Sequence, residues 1–219
     1  MGQRSQIYIR YKNGKNLVAM HLQWNYGHYM INRAYQLLDF INKNVNINYS
    51  NFKEESFDIA NDGKSRRDID ILHNLIQENI TIGSYVGGYD LIREDYEWYS
   101  KNNELKETFK MTPEKEDNNN GILVIDIQED GTIKYGLAGG YEEIEGMAAG
   151  DAFKMISARE YFRLGENEYK LSVKNKELYD IVLMQIDFID NNFKLLTDDE
   201  YKTIFDAEYE YKNCLKGID

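Results

Sequence analysis

The chain has one cysteine, Cys214, and one proline, Pro113, among its 219 residues. A lone thiol closes no internal disulfide, and one proline excludes the Pro-rich linkers that space modules apart. His21, His28 and His73 are too few and too dispersed to make a Cys/His zinc centre with Cys214, so neither a metal nor a cofactor is expected. No apolar run approaches the roughly 18 residues that a membrane-crossing helix needs. The start lacks the charged and then apolar regions of a secretory signal. Phosphate-loop, dinucleotide-binding, nucleophile-elbow and zinc-protease signatures are all missing, which weighs against an enzyme. Together these absences place the chain in the cytoplasm, away from membranes.

What is present is ample material for a core. Hydrophobic residues make up 42% and aromatics 13%, including 18 Tyr, and the length suits a single domain over 1–219. Those tyrosines are as compatible with an oligomer as with a monomer. The net charge of −12 is unevenly spread. Residues 1–50 carry Arg4, Arg10, Lys12, Lys15, Arg33 and Lys43 against Asp39 alone, a balance of +5, and the rest of the chain carries −17. An acidic surface of that kind repels nucleic acid and draws basic protein surfaces towards it.

Local patterns predict an α+β fold, with an antiparallel sheet built from β-hairpins and helices packed on it. Ser5–Tyr11 alternates, Asn13-Gly14 follows, and Asn16–Trp24 resumes an extended pattern, the signature of a two-residue hairpin turn. Gly121–Gln128, Asp130-Gly131 and Thr132–Ala138 repeat that logic. Met30, Ile31, Ala34, Tyr35, Leu37, Leu38 and Ile41 predict a helix that leaves Arg33, Gln36, Asp39 and Lys43 on its outer side. A second helix is predicted over 65–79, capped at Ser65, and a short strand over 81–86. Ser157-Ala-Arg-Glu160 and Thr197-Asp-Asp-Glu200 have the form of capping boxes. Leu178, Ile181, Val182, Gln185 and Ile189 predict a helix over 175–191, and Tyr201, Ile204, Phe205 and Tyr209 one side of a last helix. Asp126, inside an Ile-Asp-Ile alternation, is expected to face solvent.

Two groups of residues are candidates for function. The first is the strand-to-helix junction, where His21, Gln23, Trp24, Asn25, Tyr26 and His28 cluster and Arg33 follows. Junctions at strand ends carry function because a rigid scaffold positions them, and a helix start offers free N–H groups to an anion. The alternative use of the same residues is a tight turn in which Trp24 anchors helix to sheet. The second group is the run of ten acids Glu177, Asp180, Asp187, Asp190, Asp198, Asp199, Glu200, Asp206, Glu208 and Glu210 against Lys194 and Lys202. On helices this spacing makes either a negative stripe that mimics a phosphate backbone or a plainly solvated face.

Met1-Gly-Gln-Arg-Ser5, the strand Gln6–Arg10 and Gln23-Trp-Asn-Tyr-Gly27 resemble the opening of uncharacterised bacterial phage and mobile-element proteins. Those begin near Met-Gly-Thr-Arg-Ser and run through a hairpin to a His-Trp-Asp-Gly-Tyr-like turn. Gln128–Tyr135 and Ile156–Tyr161 are similar in style to their later portions. Gln23 and Asn25 stand where that pattern has His and Asp, so an acid/base pair of that kind is missing here. The resemblance implies a genomic setting and no reaction. With the acidic charge it leads to one expected role: a phage or mobile-element accessory protein that binds and inhibits a host defence protein, such as a CRISPR effector. Its partner would be a host protein with a basic surface, met without direct nucleic-acid contact inside the bacterial cell. The competing expectation is a small-molecule- or nucleotide-binding protein, or a hydrolase, using residues 21–33.

Overall fold

The structure is a computed structural model that describes residues 4–11, 15–44, 71–79, 84–85, 88–90, 108–110, 121–138, 155–169, 171–201 and 208–210. The opening hairpin forms as the pattern predicts, with strand β1 (Arg4–Tyr11) antiparallel to β2 (Lys15–Gln23). From Arg4↔Gln23 to Ile9↔Val18 the register is that of a two-residue turn at Asn13-Gly14. Leu17 is then inserted as a bulge, and the last rungs pair Arg10 with Asn16 and Tyr11 with Lys15. Residues 12–14, which carry the predicted turn, lie outside the described residues.

A second hairpin pairs β7 (Ile122–Ile127) with β8 (Ile133–Ala138). Its turn has three residues, Glu129-Asp130-Gly131, rather than two. The Gly131 N–H donates to the Gln128 carbonyl (3.0 Å), the Gln128 N–H donates to the Thr132 carbonyl (2.8 Å), and Gly131 takes φ of 85°. A turn followed by a left-handed glycine is the usual three-residue solution.

The two hairpins join through their first strands, and that junction is parallel, from Gln6↔Ile122 to Tyr11↔Ile127. This corrects the expectation of a purely antiparallel sheet: the fold is α+β, but the sheet is mixed. Turn signals fix pairing inside each hairpin, whereas the direction in which two hairpins meet is set by the long connection between them. The strand order is β10-β8-β7-β1-β2-β5, where β5 is Gly88–Asp90 and β10 is Lys194–Leu195, the latter again parallel to its neighbour; β9 (Met155–Ile156) also pairs with β8. Two small antiparallel pairs stand apart: β3 (Glu78–Asn79) with β4 (Ser84–Tyr85), and β6 (Thr108–Lys110) with β11 (Glu208–Glu210).

Odd-numbered positions of β1 face the main core. Ile7 and Ile9 lie level with Met20 and Val18 on one side and Leu123 and Ile125 on the other, all buried. Helix α1 (His28–Lys43) covers this face with Met30, Ile31, Ala34, Leu37, Leu38 and Ile41, at the predicted spacing. Arg33 and Gln36, expected on the outer side, are buried as well, because α2, seen over 71–77, packs there. The predicted start of α2 at Ser65 falls outside the described residues.

Helices α3 (Ala158–Tyr169), α4 (Leu171–Lys174) and α5 (Lys176–Asn192) follow. Asn175 caps α5 by accepting the Leu178 N–H at 3.1 Å, and Tyr35 of α1 meets Phe188 of α5 edge to face at 5.1 Å. The capping box at Thr197 forms in both directions: Glu200 N–H donates to Thr197 Oγ1 (3.2 Å) and Thr197 N–H to the Glu200 carboxylate (2.9 Å). The helix α6 that it starts is seen over 198–201, and Tyr209, predicted on the same helix, sits instead in β11. Ile204 and Phe205 lie outside the described residues.

Candidate functional site

The corner between β2 and α1 is built around a buried amide. Asn25 is fully buried; its Nδ2 donates to Ser5 Oγ (2.9 Å) and to Met30 Sδ (3.3 Å), and its Oδ1 accepts from Arg33 Nη1 (3.4 Å). Turning Asn25 inward turns its neighbour outward. Trp24 is 58% exposed and takes φ of 59°, the one non-glycine residue with positive φ among the described residues. A bulky side chain in the left-handed region costs on the order of 1–3 kcal/mol and persists only where the surroundings impose it. Gly27 follows at φ 50°, ψ −124°, a conformation that suits glycine, and α1 begins.

Arg33 is the next surprise. Its side chain has no exposure, and its guanidinium faces carbonyls rather than a ligand. Nε donates to the Ile76 carbonyl (2.6 Å), Nη2 to Gln77 (3.4 Å) and Nη1 also to Tyr29 (3.4 Å). Gln36 Nε2 adds donors to the Leu75 and Glu78 carbonyls. Two side chains of α1 thus satisfy the orphan carbonyls at the end of α2, where a cation also suits the helix dipole. Burial holds the Arg33 guanidinium below its ordinary value, at about 10, which still leaves it charged at neutral pH.

The seven predicted ligand residues therefore do not line one chamber. Asn25 and Arg33 point inward, Gln23 and Trp24 point out, and His21 is buried on the far face of the sheet, level with Gln6 and Tyr89. Tyr26 and His28 are half-buried around the Tyr29 ring, at centroid distances of 5.5 and 4.1 Å.

His28 is held down to about 4 by burial, so it is neutral at pH 7. The unfolded chain binds a proton near pH 6.5 and the folded chain does not until about 4, so stability is full above 6.5 and falls as pH drops towards 4. Urea midpoints measured from pH 7.5 to 5 are expected to decline in the wild type and to flatten in His28→Asn. Parallel slopes for the two proteins would contradict this burial.

The second face of the sheet carries a polar layer that local pattern reading missed. Gln6, Tyr8 and Arg10 alternate with Ile7 and Ile9 and so look like a solvent face, yet all three are buried. Tyr8 donates to Gln6 Oε1 at 2.7 Å, and Arg10 approaches Asp126 at 3.9 Å. Asp126, expected to face solvent, is thus paired and shielded. Burial raises the Asp126 carboxyl and lowers the Arg10 guanidinium; in each, desolvation outweighs the attraction of its partner. Alternation records which residues share a face and not what packs on that face, where Tyr201 comes near Tyr8.

The acidic candidates are dispersed by function. Asp190 accepts from the Tyr135 hydroxyl and from the N–H groups of Ala158 (3.1 Å) and Arg159 (3.3 Å), sealing the start of α3. Asp198 accepts from the Met155 N–H (3.0 Å), and Glu200 meets Lys134 besides its capping bonds. Asp180 pairs with Lys176 at 2.7 Å and Asp187 pairs with Arg159. Glu177 and Asp199 are exposed; Glu208 and Glu210 lie in β11, and Asp206 lies outside the described residues. Glu177 and Asp180 border a shallow groove floored by Ile181 and Met184.

Among the described residues no cluster of His, Cys, Asp or Glu is placed to hold a metal ion, and no helix is long and apolar enough to cross a membrane. Comparison with protein-family models, with curated proteins and with solved structures finds no match.

Proposed function

We propose that this chain is a binding protein that engages a basic surface on a protein partner and uses Trp24 as its central contact. The observation that carries the reading is the corner itself: a large tryptophan at a left-handed backbone position, 58% exposed, where a smaller residue would serve the turn as well. Hot spots of binding are enriched in Trp, and strained residues concentrate where recognition takes place. The net charge of −12 acts at longer range, steering approach to a basic partner. In the setting that the N-terminal resemblance implies, the partner is a host defence protein inside a bacterial cell, and binding inhibits it. The inward commitment of Asn25 and Arg33 supports this reading over a nucleotide-binding or hydrolytic one, which needs those groups free.

The test is capture from bacterial lysate at low and high salt with wild-type, Trp24→Ala and Trp24→Gly baits, quantified by mass spectrometry. Partners held by the wild type are expected to fall at least about tenfold with either variant, the size of a hot-spot loss, and to weaken with salt. Trp24→Gly removes the strained side chain, so its thermal midpoint is expected to equal or exceed that of the wild type. Capture that is indifferent to both substitutions would refute the role of the corner.

A further inference from the structure

We infer that the second face of the sheet holds an oxyanion seat, in which the buried guanidinium of Arg10 grips a carboxylate or phosphate group of a small ligand. The seat lies towards the far end of β1 from the Trp24 corner and goes beyond the binding role proposed there. Arg10 is 6% exposed, and among the described residues no acceptor reaches its Nε. The carboxylate beside it, Asp126, stands 3.9 Å from Nη1, beyond hydrogen-bond reach. A guanidinium carries five N–H groups and keeps its proton inside a protein, so it needs acceptors and cannot shed its charge. Gln6, fully buried on the same face, repeats the shortage. Its Oε1 takes the Tyr8 hydroxyl at 2.7 Å, while its Nε2 meets no acceptor among the described residues.

The acids of this face do not supply what is missing. Asp126 accepts from Gln128 Nε2, and Glu200 accepts from Lys134 and from the Thr197 N–H. Arg10, Asp126 and Lys134 stand in one row across β1, β7 and β8, so the acid beside Arg10 has a second cation on its other side. Arg10 and Lys134 balance Asp126 and Glu200 in charge, and the surplus is in donors. Asp126 also lies by Nη1, which leaves the Nε–Nη2 edge of the guanidinium. The two N–H groups of that edge point the same way and match two oxygens of a carboxylate or phosphate. A water molecule would serve one of them; an oxyanion serves both. The net charge of −12 opposes an anion at long range, where salt screens it, whereas a buried pair is screened much less.

The probes are inorganic phosphate and acetate, each titrated to saturation into the full-length protein labelled with 15N-arginine, against sodium chloride at matched ionic strength. The Arg10 Nε–H signal, assigned through its own backbone, is expected to shift along a saturating curve with at least one of the two oxyanions and not with chloride. The thermal midpoint is expected to rise over the same concentrations, because the ligand binds the folded chain. Affinity is expected to fall at least about tenfold in Arg10→Lys, which keeps the charge and loses the paired N–H groups.

A response to phosphate alone assigns the seat to a phosphate-bearing ligand, and a response to acetate alone assigns it to an organic acid. An Arg10 signal that ignores both oxyanions, or that follows chloride equally, would overturn the seat. So would a through-bond coupling from the Arg10 Nε–H to a carbonyl or carboxylate carbon of the chain in the unliganded protein, since the donor would then be taken. These wild-type signals decide the matter even if Arg10→Lys unfolds, and none of them depends on Trp24.

Discussion

Arg33→Met is expected to destabilise the protein by about 3 kcal/mol and to loosen α2 before the rest of the molecule. The substitution keeps much of the apolar stem, so little packing is lost. What it removes is the donor set that serves the Ile76 and Gln77 carbonyls. Each buried acceptor left without a donor costs about 1–3 kcal/mol, and the 2.6 Å bond from Nε to Ile76 is the shortest of Arg33's bonds. Gln36→Leu leaves the Leu75 and Glu78 carbonyls short of a donor, and about 1–2 kcal/mol is expected for a neutral group. Urea titration gives the global loss, and amide exchange over 71–79 shows whether opening begins there. An Arg33→Met protein with an unchanged urea midpoint would show that the guanidinium does not hold this helix end.

The second large effect is expected at Asp190. One carboxylate takes the Tyr135 hydroxyl and two N–H groups at the first turn of α3. Asp190→Ala strands the Tyr135 hydroxyl proton and leaves the Ala158 N–H with the Tyr135 oxygen alone, at 3.2 Å, while the exposed Arg159 N–H turns to water; a loss of about 2–4 kcal/mol follows from the usual cost of a missing cap plus a buried hydroxyl. Asp190→Asn keeps one acceptor oxygen and is expected to recover about half. Tyr135→Phe removes the hydroxyl together with its need, so adding it to Asp190→Ala should cost less than the two single effects combined. Strict additivity in this double-mutant cycle would show that Tyr135 and Asp190 act separately.

Both sites bear on what the sequence disclosed. The hairpins, α1, α5 and the capping box at Thr197 were legible because each depends on neighbours a few residues away. Even the register of β1 against β2 follows from Asn13-Gly14 over most of its length. The parallel meeting of β1 with β7 was not legible, because nothing within either hairpin records the direction of the other. Burial on the second sheet face was hidden for a related reason: Gln6, Tyr8 and Arg10 look like a solvated face until distant parts of the chain pack on it.

At the corner, the residues that the sequence singled out do come together as a structural unit, but their orientations differ from one another. An Asn in a turn and an Arg on a helix give no sign of facing inward until α2 is in place. Trp24 had two readings, a ligand-binding residue of the junction or an anchor of helix to sheet, and its exposure removes the anchor. The acids of 177–210 were counted as charges, whereas Asp190 and Asp198 serve as acceptors for backbone donors of other elements. Charge counts register neither the donors nor the distance in sequence from which they come.

The parallel seam between the hairpins has a kinetic meaning. Each hairpin can close within microseconds from its own turn, but pairing Gln6 with Ile122 joins parts of the chain that are far apart, and the loop-closing entropy must be met first. Folding is therefore expected to be limited by forming this seam rather than by closing either hairpin. During synthesis the first half emerges with the open edge of β1, rich in Ile and Tyr, waiting for a partner that has not yet been translated. Truncation before β7 leaves that edge uncovered for good, and such fragments are expected to self-associate through it.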